Sequence, residues 1–380
     1  EYGREWHVWR QNSHSKISDS RTKVYGMLRS ITTPDASISE GPVRNGLTPY
    51  AGPWGYEQAA HLLRRTMFGP TPAQINWAVS NGQAATLDEL FRERPLPEPP
   101  LNVYLKNDPD IPFGETWIEA PFTQSRPVKQ MPACIRSLHA WVIGVILEEG
   151  MSIREKLTLF WHNHFPIEAI QDPRYRYRYI TLFRANAWGN FRQLTKDITI
   201  DPAMLRYLNG AQNSKRAPNE NYARELLELF TIGKGPAAGP GDYTYFTEQD
   251  IKEMARVLTG WKDQGFVFRS QDGQIGSEFQ DWRHDEGTKQ LSYRFDNVTI
   301  PNLGDQEYAH LIDIIFEKQE VARFICRKLY RWFVYYRIDD ETEATVIEPM
   351  AQIVWDNDFE VGPALRALLA SEHFYNSLFT

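Results

Sequence analysis

The segment Ala217–Gly233, APNENYARELLELFTIG, constrains the fold most because its apolar residues follow a single helical period. Apolar side chains recur every three or four residues, which is the pattern of a helix with one buried face. Asn219 fits the N-cap position, and Gly233 fits the residue that ends a helix. With this segment at its centre, the chain is expected to be built from packed helices.

The opposite face of this predicted helix is crowded with ionisable and amide groups. Its members are Asn219, Glu220, Asn221, Arg224, Glu225 and Glu228. Such a set could line a polar pocket or bind a cation. It could also be a solvated face, in which ion pairs four residues apart contribute a few tenths of a kcal/mol each. The spacing alone favours the solvated face.

Amphipathic helical patterns continue through the rest of the chain, and they predict a mainly α-helical protein with one multi-helix domain over residues 51–380. Residues 1–50 are polar and lack a helical period, so we expect a long, extended N-terminal strap. A glycine-punctuated, alternating stretch at about 265–300 predicts a small β insertion. The 380 residues suffice to bury a large core.

Charge, apolar runs and cysteines narrow the functional classes. The formal net charge is -7, so bulk composition does not call for nucleic acid. No apolar run approaches the roughly 20 residues that span a bilayer, so no transmembrane segment is expected. Cys134 and Cys326 could pair in an exported protein, but we expect two buried free thiols on different helices.

A second helical pattern, Ser152–His164, contains the motif FWHNHF. Ser152 and Glu155 have the spacing of a capping box at its start. Because a residue before proline avoids the helical conformation, Pro166 predicts that this helix ends near His164.

The two histidines of this motif are candidate catalytic or metal-binding residues. On a helix His162 and His164 would point about 200° apart, whereas in an extended segment both would lie on one side. Asn163 lies between them and could bind a ligand with them. A histidine at a helix end is, however, more often a cap or a satisfied core residue. The local sequence leaves both interpretations open.

A run of alternating arginine and tyrosine occupies Asp172–Tyr179, DPRYRYRY. Arg174, Arg176 and Arg178 could bind phosphate, sulfate or uronate groups, with the tyrosines stacking on sugar rings. Alternatively, the arginine and tyrosine stems cover a neighbouring helix, and this structural interpretation is somewhat favoured. We expect the run to be cationic and partly exposed.

Several blocks together resemble the bacterial family catalogued as domain of unknown function 1800. These blocks, in chain order, are FWHNHF (160–165), GNFRQL (189–194), DPAMLRYLNG (201–210), PNENYARELLELFTIG (218–233), HDEGTK (284–289) and VARFICRKLYRWFV (321–334). The resemblance runs from about Ala59 to Tyr375 and leaves the N-terminal strap outside. It implies an all-α-dominated, exported or cell-surface protein. It also implies a partner resembling the sulfatase and alkaline-phosphatase class, catalogued as domain of unknown function 1501. It supplies no activity.

Polar residues are concentrated in these signature blocks, and we expect three of the blocks to meet in space: FWHNHF, PNENYAREL and the one with His284 and Asp285. Buried polar groups need partners, and a shared pocket would supply them. In such a pocket Arg224 would bridge a carboxylate, and His162 or His164 would face Glu220 or Glu225.

Two classes of function fit this expectation. In the first, the protein is a non-catalytic scaffold or a binding protein for an anionic cell-surface polysaccharide or a protein partner. In the second, it is an exported hydrolase or oxidoreductase that uses a His–Glu acid–base pair or a divalent metal. Imidazole and carboxylate suit Zn, Fe, Mn or Cu, and the predicted ligands are His162, His164, His284 and Glu225.

Overall fold

The computed structural model describes residues 46–108, 111–120, 127–266 and 274–376, without the side chains of residues 127–129. The predicted N-terminal strap lies almost entirely outside the described residues and stays a prediction. Residues Arg44–Thr380 group into one unit by their contacts.

Helices form most of the described chain, as the sequence predicts. In the first half they are α1 (Tyr56–Thr66), α2 (Pro72–Leu90), α3 (Pro127–Glu148), α4 (Arg154–His164), α5 (Pro173–Ala185), α6 (Phe191–Thr199) and α7 (Pro202–Tyr207). In the second half they are α8 (Glu220–Glu225), α9 (Glu248–Val257), α10 (Glu307–Phe316), α11 (Gln319–Phe333), α12 (Asp340–Thr342), α13 (Glu348–Asp356) and α14 (Val361–Ala370). Two π-helical segments, Leu226–Thr231 and Glu343–Ile347, follow α8 and α12 directly.

Helix boundaries follow the local chemistry of the termini. Thr71 and Gln74 form a reciprocal capping box at the start of α2, and Thr247 accepts a hydrogen bond from the backbone of Asp250 at the start of α9. Gly82 has a φ of 83° inside α2 and divides that helix into two pieces. Helix α4 ends at His164, before Pro166, as predicted.

The strands are short and pair only in twos within the described residues. They are β1 (Ala237–Gly239), β2 (Asp242–Tyr243), β3 (Trp261–Gln264), β4 (Gly276–Phe279), β5 (Lys289–Gln290) and β6 (Thr299–Ile300). All three pairs, β1–β2, β3–β4 and β5–β6, are antiparallel. The last two occupy the region predicted as a small β insertion. The mainly helical fold class is therefore confirmed.

Consecutive helices pack mostly against their neighbours. Helix α1 packs on α2, α4 on α5, α8 on α9, and α13 on both α11 and α14. A large apolar core runs through these helices, and a smaller cluster consists of Ile111, Trp117, Cys134 and Leu138. Cys134 and Cys326 are both buried and free and lie on different helices, which confirms the expected pair of thiols.

Helix α3 is unusual because much of its apolar surface is uncovered. Its segment Gln130–Glu148 is long and apolar enough to cross a membrane by length and composition alone, yet only 28 % of it is buried against the rest of the protein. One such segment is weak evidence for a membrane span, because core helices of soluble proteins meet the same criteria. The absence of a transmembrane segment therefore stays a prediction.

Candidate functional site

A cavity of about 520 Å³ opens between α3, α4 and α5. Helices α4 and α5 pack side by side. Glu155 at the start of α4 contacts Arg184 at the end of α5, which shows that the two helices are antiparallel. Helix α3 covers them with Leu138, Val142, Ile143 and Ile146, and Ile180 of α5 adds to the apolar lining. A cavity of this size, mostly apolar and holding a few polar groups, is typical of small-molecule sites.

Four of the ionisable side chains that line the cavity form one stripe on each of two helices, and His139 of α3 and Glu168 of the loop after α4 also line it. On α5, Arg176, Ile180 and Arg184 are four residues apart and therefore share one face. On α4, Glu155 and His162 are seven residues apart, which is two helical turns, and they share a face for the same reason. The antiparallel packing places one polar pair at each end of the cavity.

At the first end, a buried ion pair joins the two helices. Arg184 donates from Nε to Oε1 of Glu155 at 2.5 Å and from Nη2 to Oε2 at 2.7 Å. Its Cζ lies 4.6 Å from the ring centroid of Trp141. Arg184 is only 1 % exposed, and its Nη1 has no hydrogen-bond partner within the described structure. At this end the charges of Glu155 and Arg184 balance, and Nη1 of Arg184 is a hydrogen-bond donor without a partner in the described structure.

At the second end, His162 and Arg176 are close enough to interact electrostatically. Burial lowers the pKa of His162, and the nearby positive charge of Arg176 lowers it further, so the imidazole is neutral at pH 7. Arg176 is half-buried, and its Nε donates to the carbonyl of Ile170. Burial also lowers the pKa of the guanidinium, without a carboxylate to offset the effect. In the described structure, no carboxylate at this end lies within ion-pair distance of the Arg176 guanidinium.

His164 and Asn163 do not line this cavity. The His164 ring is buried among aromatic side chains, and its Nε2 lies 2.9 Å from the carbonyl oxygen of Phe230. Because it faces a main-chain carbonyl, His164 does not face Glu220 or Glu225 as predicted. Asn163 is exposed and donates to the carbonyl of Leu159 in its own helix. The helical form of the motif separates His162 from His164.

The polar face of α8 forms a partly exposed ion-pair network. Arg224 reaches Glu248 of α9 at 2.8 Å and also lies 3.3 Å from Glu220 and 3.6 Å from Glu228. The network holds the pKa of the Glu248 carboxyl at about 2, chiefly through the hydrogen bonds from Arg224. Arg224 retains 34 % side-chain exposure, so the solvated interpretation describes this face better than a buried pocket.

The remaining predicted residues of this block have local roles. Asn219 caps α8 by accepting a hydrogen bond from the backbone of Asn221, which is itself exposed. Glu225 is partly exposed, and burial together with Glu228 raises the pKa of its carboxyl.

His284 lies in a different buried cluster, on the β insertion. Its Nε2 is 3.1 Å from Oε2 of Glu307, and its Nδ1 is 2.9 Å from the carbonyl of Thr259. Lys289 makes an ion pair of 2.5 Å with the other oxygen of Glu307, and both side chains are fully buried. Asp285 pairs instead with Arg256 of α9 at 2.8 Å. These contacts attach the insertion to α9 and α10.

The three arginines of the Arg-Tyr run have three different environments on α5. Arg174 is completely buried and forms an ion pair with Asp172, the N-cap of the same helix. Arg176 lines the cavity. Arg178 is half exposed and lies 3.4 Å from Asp201. The run is therefore exposed only in part: Arg178 is half exposed, whereas α5 turns Arg174 towards the core.

The polar side chains of the three signature blocks have separate partners, although FWHNHF contacts the end of the block PNENYARELLELFTIG through His164 and Phe230. His162 lines the α3–α4–α5 cavity, His164 contacts the π-helical segment, and His284 pairs with Glu307. Each of these groups finds a different partner nearby. In the described part of the chain, no three His, Cys, Asp or Glu side chains are arranged to hold a metal ion, so the predicted set His162, His164, His284 and Glu225 is not assembled.

Sequence reasoning missed Glu155 and Arg184 as part of a site. The predicted capping box between Ser152 and Glu155 is wrong. The Glu155 carboxylate pairs with Arg184, and the Ser152 hydroxyl accepts a hydrogen bond from the backbone N–H of Arg154. A usable signal exists in the sequence. Arg176, Ile180 and Arg184 repeat every four residues, so they share one face of α5, and a carboxylate on the helix packed against that face can pair with one of the two arginines.

The family model described as "Protein of unknown function (DUF1800)" matches residues 61–380. Because the match covers most of the chain, the protein belongs to the DUF1800 family, as the signature blocks predicted. No curated protein and no solved structure matches the chain.

Proposed function

We propose that the protein is a binding protein whose ligand occupies the cavity between α3, α4 and α5. The observation that carries this proposal is the cavity itself, about 520 Å³ with walls that are largely aliphatic. Ile143 and Leu159 line it and are 57 % and 40 % exposed, so the cavity is open to solvent at one side. Exposed aliphatic groups around a concave site are typical of ligand-binding surfaces.

The polar groups in the cavity support binding better than catalysis. Glu155, its buried carboxylate, is held in the bidentate pair with Arg184 and is not available as a general base. Among the described residues that line the cavity there is no serine or cysteine to act as a nucleophile beside His162, and the Thr158 hydroxyl donates to the carbonyl of Arg154. Acid–base chemistry at the His162 imidazole is the second candidate function, because a neutral imidazole can accept a proton.

The wider setting is part of the same proposal. An exported or cell-surface location, and a partner of the domain of unknown function 1501 class, come from the family resemblance. Polysaccharide is a less suitable occupant of this cavity than a smaller apolar molecule, because sugars require many more hydrogen-bonding groups than the aliphatic walls offer. A polysaccharide or a protein partner would contact another surface.

An uncharged fluorescent probe tests the binding function. N-phenyl-1-naphthylamine, which brightens in apolar surroundings, should bind saturably to the protein. Ile143→Asp places a charge at the mouth of the cavity and should weaken probe binding about tenfold or more. Leu147→Asp is the matched control, because Leu147 lies one turn further along α3, is 78 % exposed and does not line the cavity. Absence of saturable binding, or equal effects of both variants, would refute the proposal.

A further inference from the structure

We infer that the cavity ligand is an amphipathic anion, an alkyl chain that ends in a carboxylate or phosphate. Arg176, beside His162, binds the anionic group, and the alkyl chain lies along Ile180 beneath α3. This inference rests on the proposed binding function and specifies the chemical class of the ligand.

The first argument is the charge of Arg176. Its Nε is used by the carbonyl of Ile170, and no carboxylate lies within ion-pair distance of its guanidinium in the described structure. Two other partly buried arginines do have such partners, since Arg224 pairs with Glu248 and Arg327 with Glu343, whereas Arg283 donates to main-chain carbonyls. A partly desolvated charge is costly unless it is paired, and an anionic ligand would supply the pair.

The second argument is that the ligand needs one charge only. Glu155 and Arg184 neutralise each other at the far end, so that end does not favour a second ionic group. Arg176 and Arg184 are eight residues apart on α5, which corresponds to about 12 Å along the helix axis. Ile180 lies midway between them, and Val142 and Ile146 lie across the cavity. One charged end and an apolar passage match a medium-length alkyl chain with a single head group.

The third argument concerns the other ionisable groups in the cavity. His162 is neutral and can donate one hydrogen bond to an anion without competing for it. Glu168, on the loop after α4, is exposed and carries a negative charge, and His139 is exposed on α3. Glu168 therefore opposes the anion, whereas Arg176 attracts it. Because Arg176 is the more buried of the two, its field is screened less by water and predominates.

Isothermal titration calorimetry with matched ligands tests the inference. Decanoate and decyl phosphate share an alkyl chain with decanol, which has no charge. The wild-type protein should bind each anion about tenfold or more tightly than decanol, since hydrogen bonds to charged groups are the stronger ones. Arg176→Gln should remove this preference while decanol still binds saturably, which also shows that the variant is folded.

A neighbouring arginine provides the control. Arg178 is two residues along the same helix, half exposed and outside the cavity, so Arg178→Gln should retain the preference for the anion. Glu168→Gln should strengthen anion binding. Equal affinity for decanoate and decanol, or an unchanged preference in Arg176→Gln, would overturn the inference while leaving the proposed binding function intact. Failure of all three ligands to bind would overturn both.

The source of the anion is resolved by a vesicle experiment. Phosphatidylcholine vesicles with and without phosphatidylglycerol present the phosphate on a membrane, whereas decanoate presents a carboxylate in solution. Sedimentation with the anionic vesicles that is lost in Arg176→Gln would identify a lipid head group as the ligand. Calorimetric binding of decanoate without vesicle sedimentation would identify a free amphipathic anion. Sedimentation equal in the wild type and Arg176→Gln, together with no decanoate binding, would count against the inference.

Discussion

The Glu155–Arg184 ion pair provides the sharpest test of how this region is held together. We predict that Glu155→Gln destabilises the protein strongly, because it leaves a guanidinium charge in a site where Arg184 is 1 % exposed. Removing one partner of a buried pair costs about 3–5 kcal/mol. The bidentate geometry, with hydrogen bonds of 2.5 and 2.7 Å, places this pair at the upper part of that range.

A double-mutant cycle separates the pair from its two members. Arg184→Met alone should also cost several kcal/mol, because it leaves the carboxylate of Glu155 buried without a counter-charge. The double variant Glu155→Gln/Arg184→Met should cost clearly less than the sum of the single variants, since no uncompensated charge is left. The coupling between the two positions then measures the ion pair itself.

Urea unfolding followed by tryptophan fluorescence is a suitable assay, because urea does not screen charges as guanidinium salts do. The matched control is Glu225→Gln, which removes a carboxylate from the partly exposed face of α8 and should change the free energy of unfolding by less than about 1 kcal/mol. If Glu155→Gln cost less than about 1 kcal/mol as well, the ion pair would be hydrated and the reasoning would be refuted.

Two further predictions follow from other buried groups. Burial raises the pKa of Glu149 to about 7, so its contribution to stability is present below its unfolded pKa of about 4.5 and is lost as the pH rises through 7. Glu149→Gln should therefore raise the free energy of unfolding at pH 8 by on the order of 2 kcal/mol and change it little at pH 4. An equal effect of the substitution at the two pH values would contradict this. Glu307→Gln should cost about 3–5 kcal/mol because it removes the counter-charge of the fully buried Lys289, and a thermal melt like that of the wild type would contradict this.

Features that depend on a few adjacent residues could be predicted from the sequence. Asn219 caps α8, Gly233 ends the π-helical segment with a φ of 77°, and α4 ends before Pro166. Each outcome is decided by local hydrogen bonding or local sterics. The mainly helical class follows for the same reason, because the apolar period is visible in each segment.

The partners of buried polar groups could not be predicted in this way. His164 satisfies Nε2 with the carbonyl of Phe230, and every residue has such a carbonyl, so no sequence pattern marks it. His284 pairs with Glu307, a glutamate that no signature block singled out. Tertiary packing selects these partners, which is why the sequence did not indicate that the polar groups of the three blocks have separate partners.

The three arginines of α5 show the same limitation in the candidate site. In the sequence, Arg174, Arg176 and Arg178 are equivalent members of one alternating run. Positions two apart on a helix point about 200° from each other, which separates Arg176 from the other two, whereas Arg174 and Arg178 share a face and differ in how far that face is covered. Only the position of α5 against α3 and α4 determines that Arg176 reaches the cavity while Arg174 is buried and Arg178 faces solvent.

The π-helical segment Leu226–Thr231 makes the helix formed by α8 and this segment intolerant of a change in length. Its wider turn ends with the backbone N–H groups of Ile232 and Gly233 both donating to the carbonyl of Leu227, at 3.3 and 2.8 Å. Deleting one residue here would restore an ordinary α-helical turn and rotate everything before it by about 100°. Arg224 would then face away from Glu248, while the carbonyl of Phe230 could stay on His164. This segment therefore tolerates substitutions far more readily than the deletion or insertion of a residue.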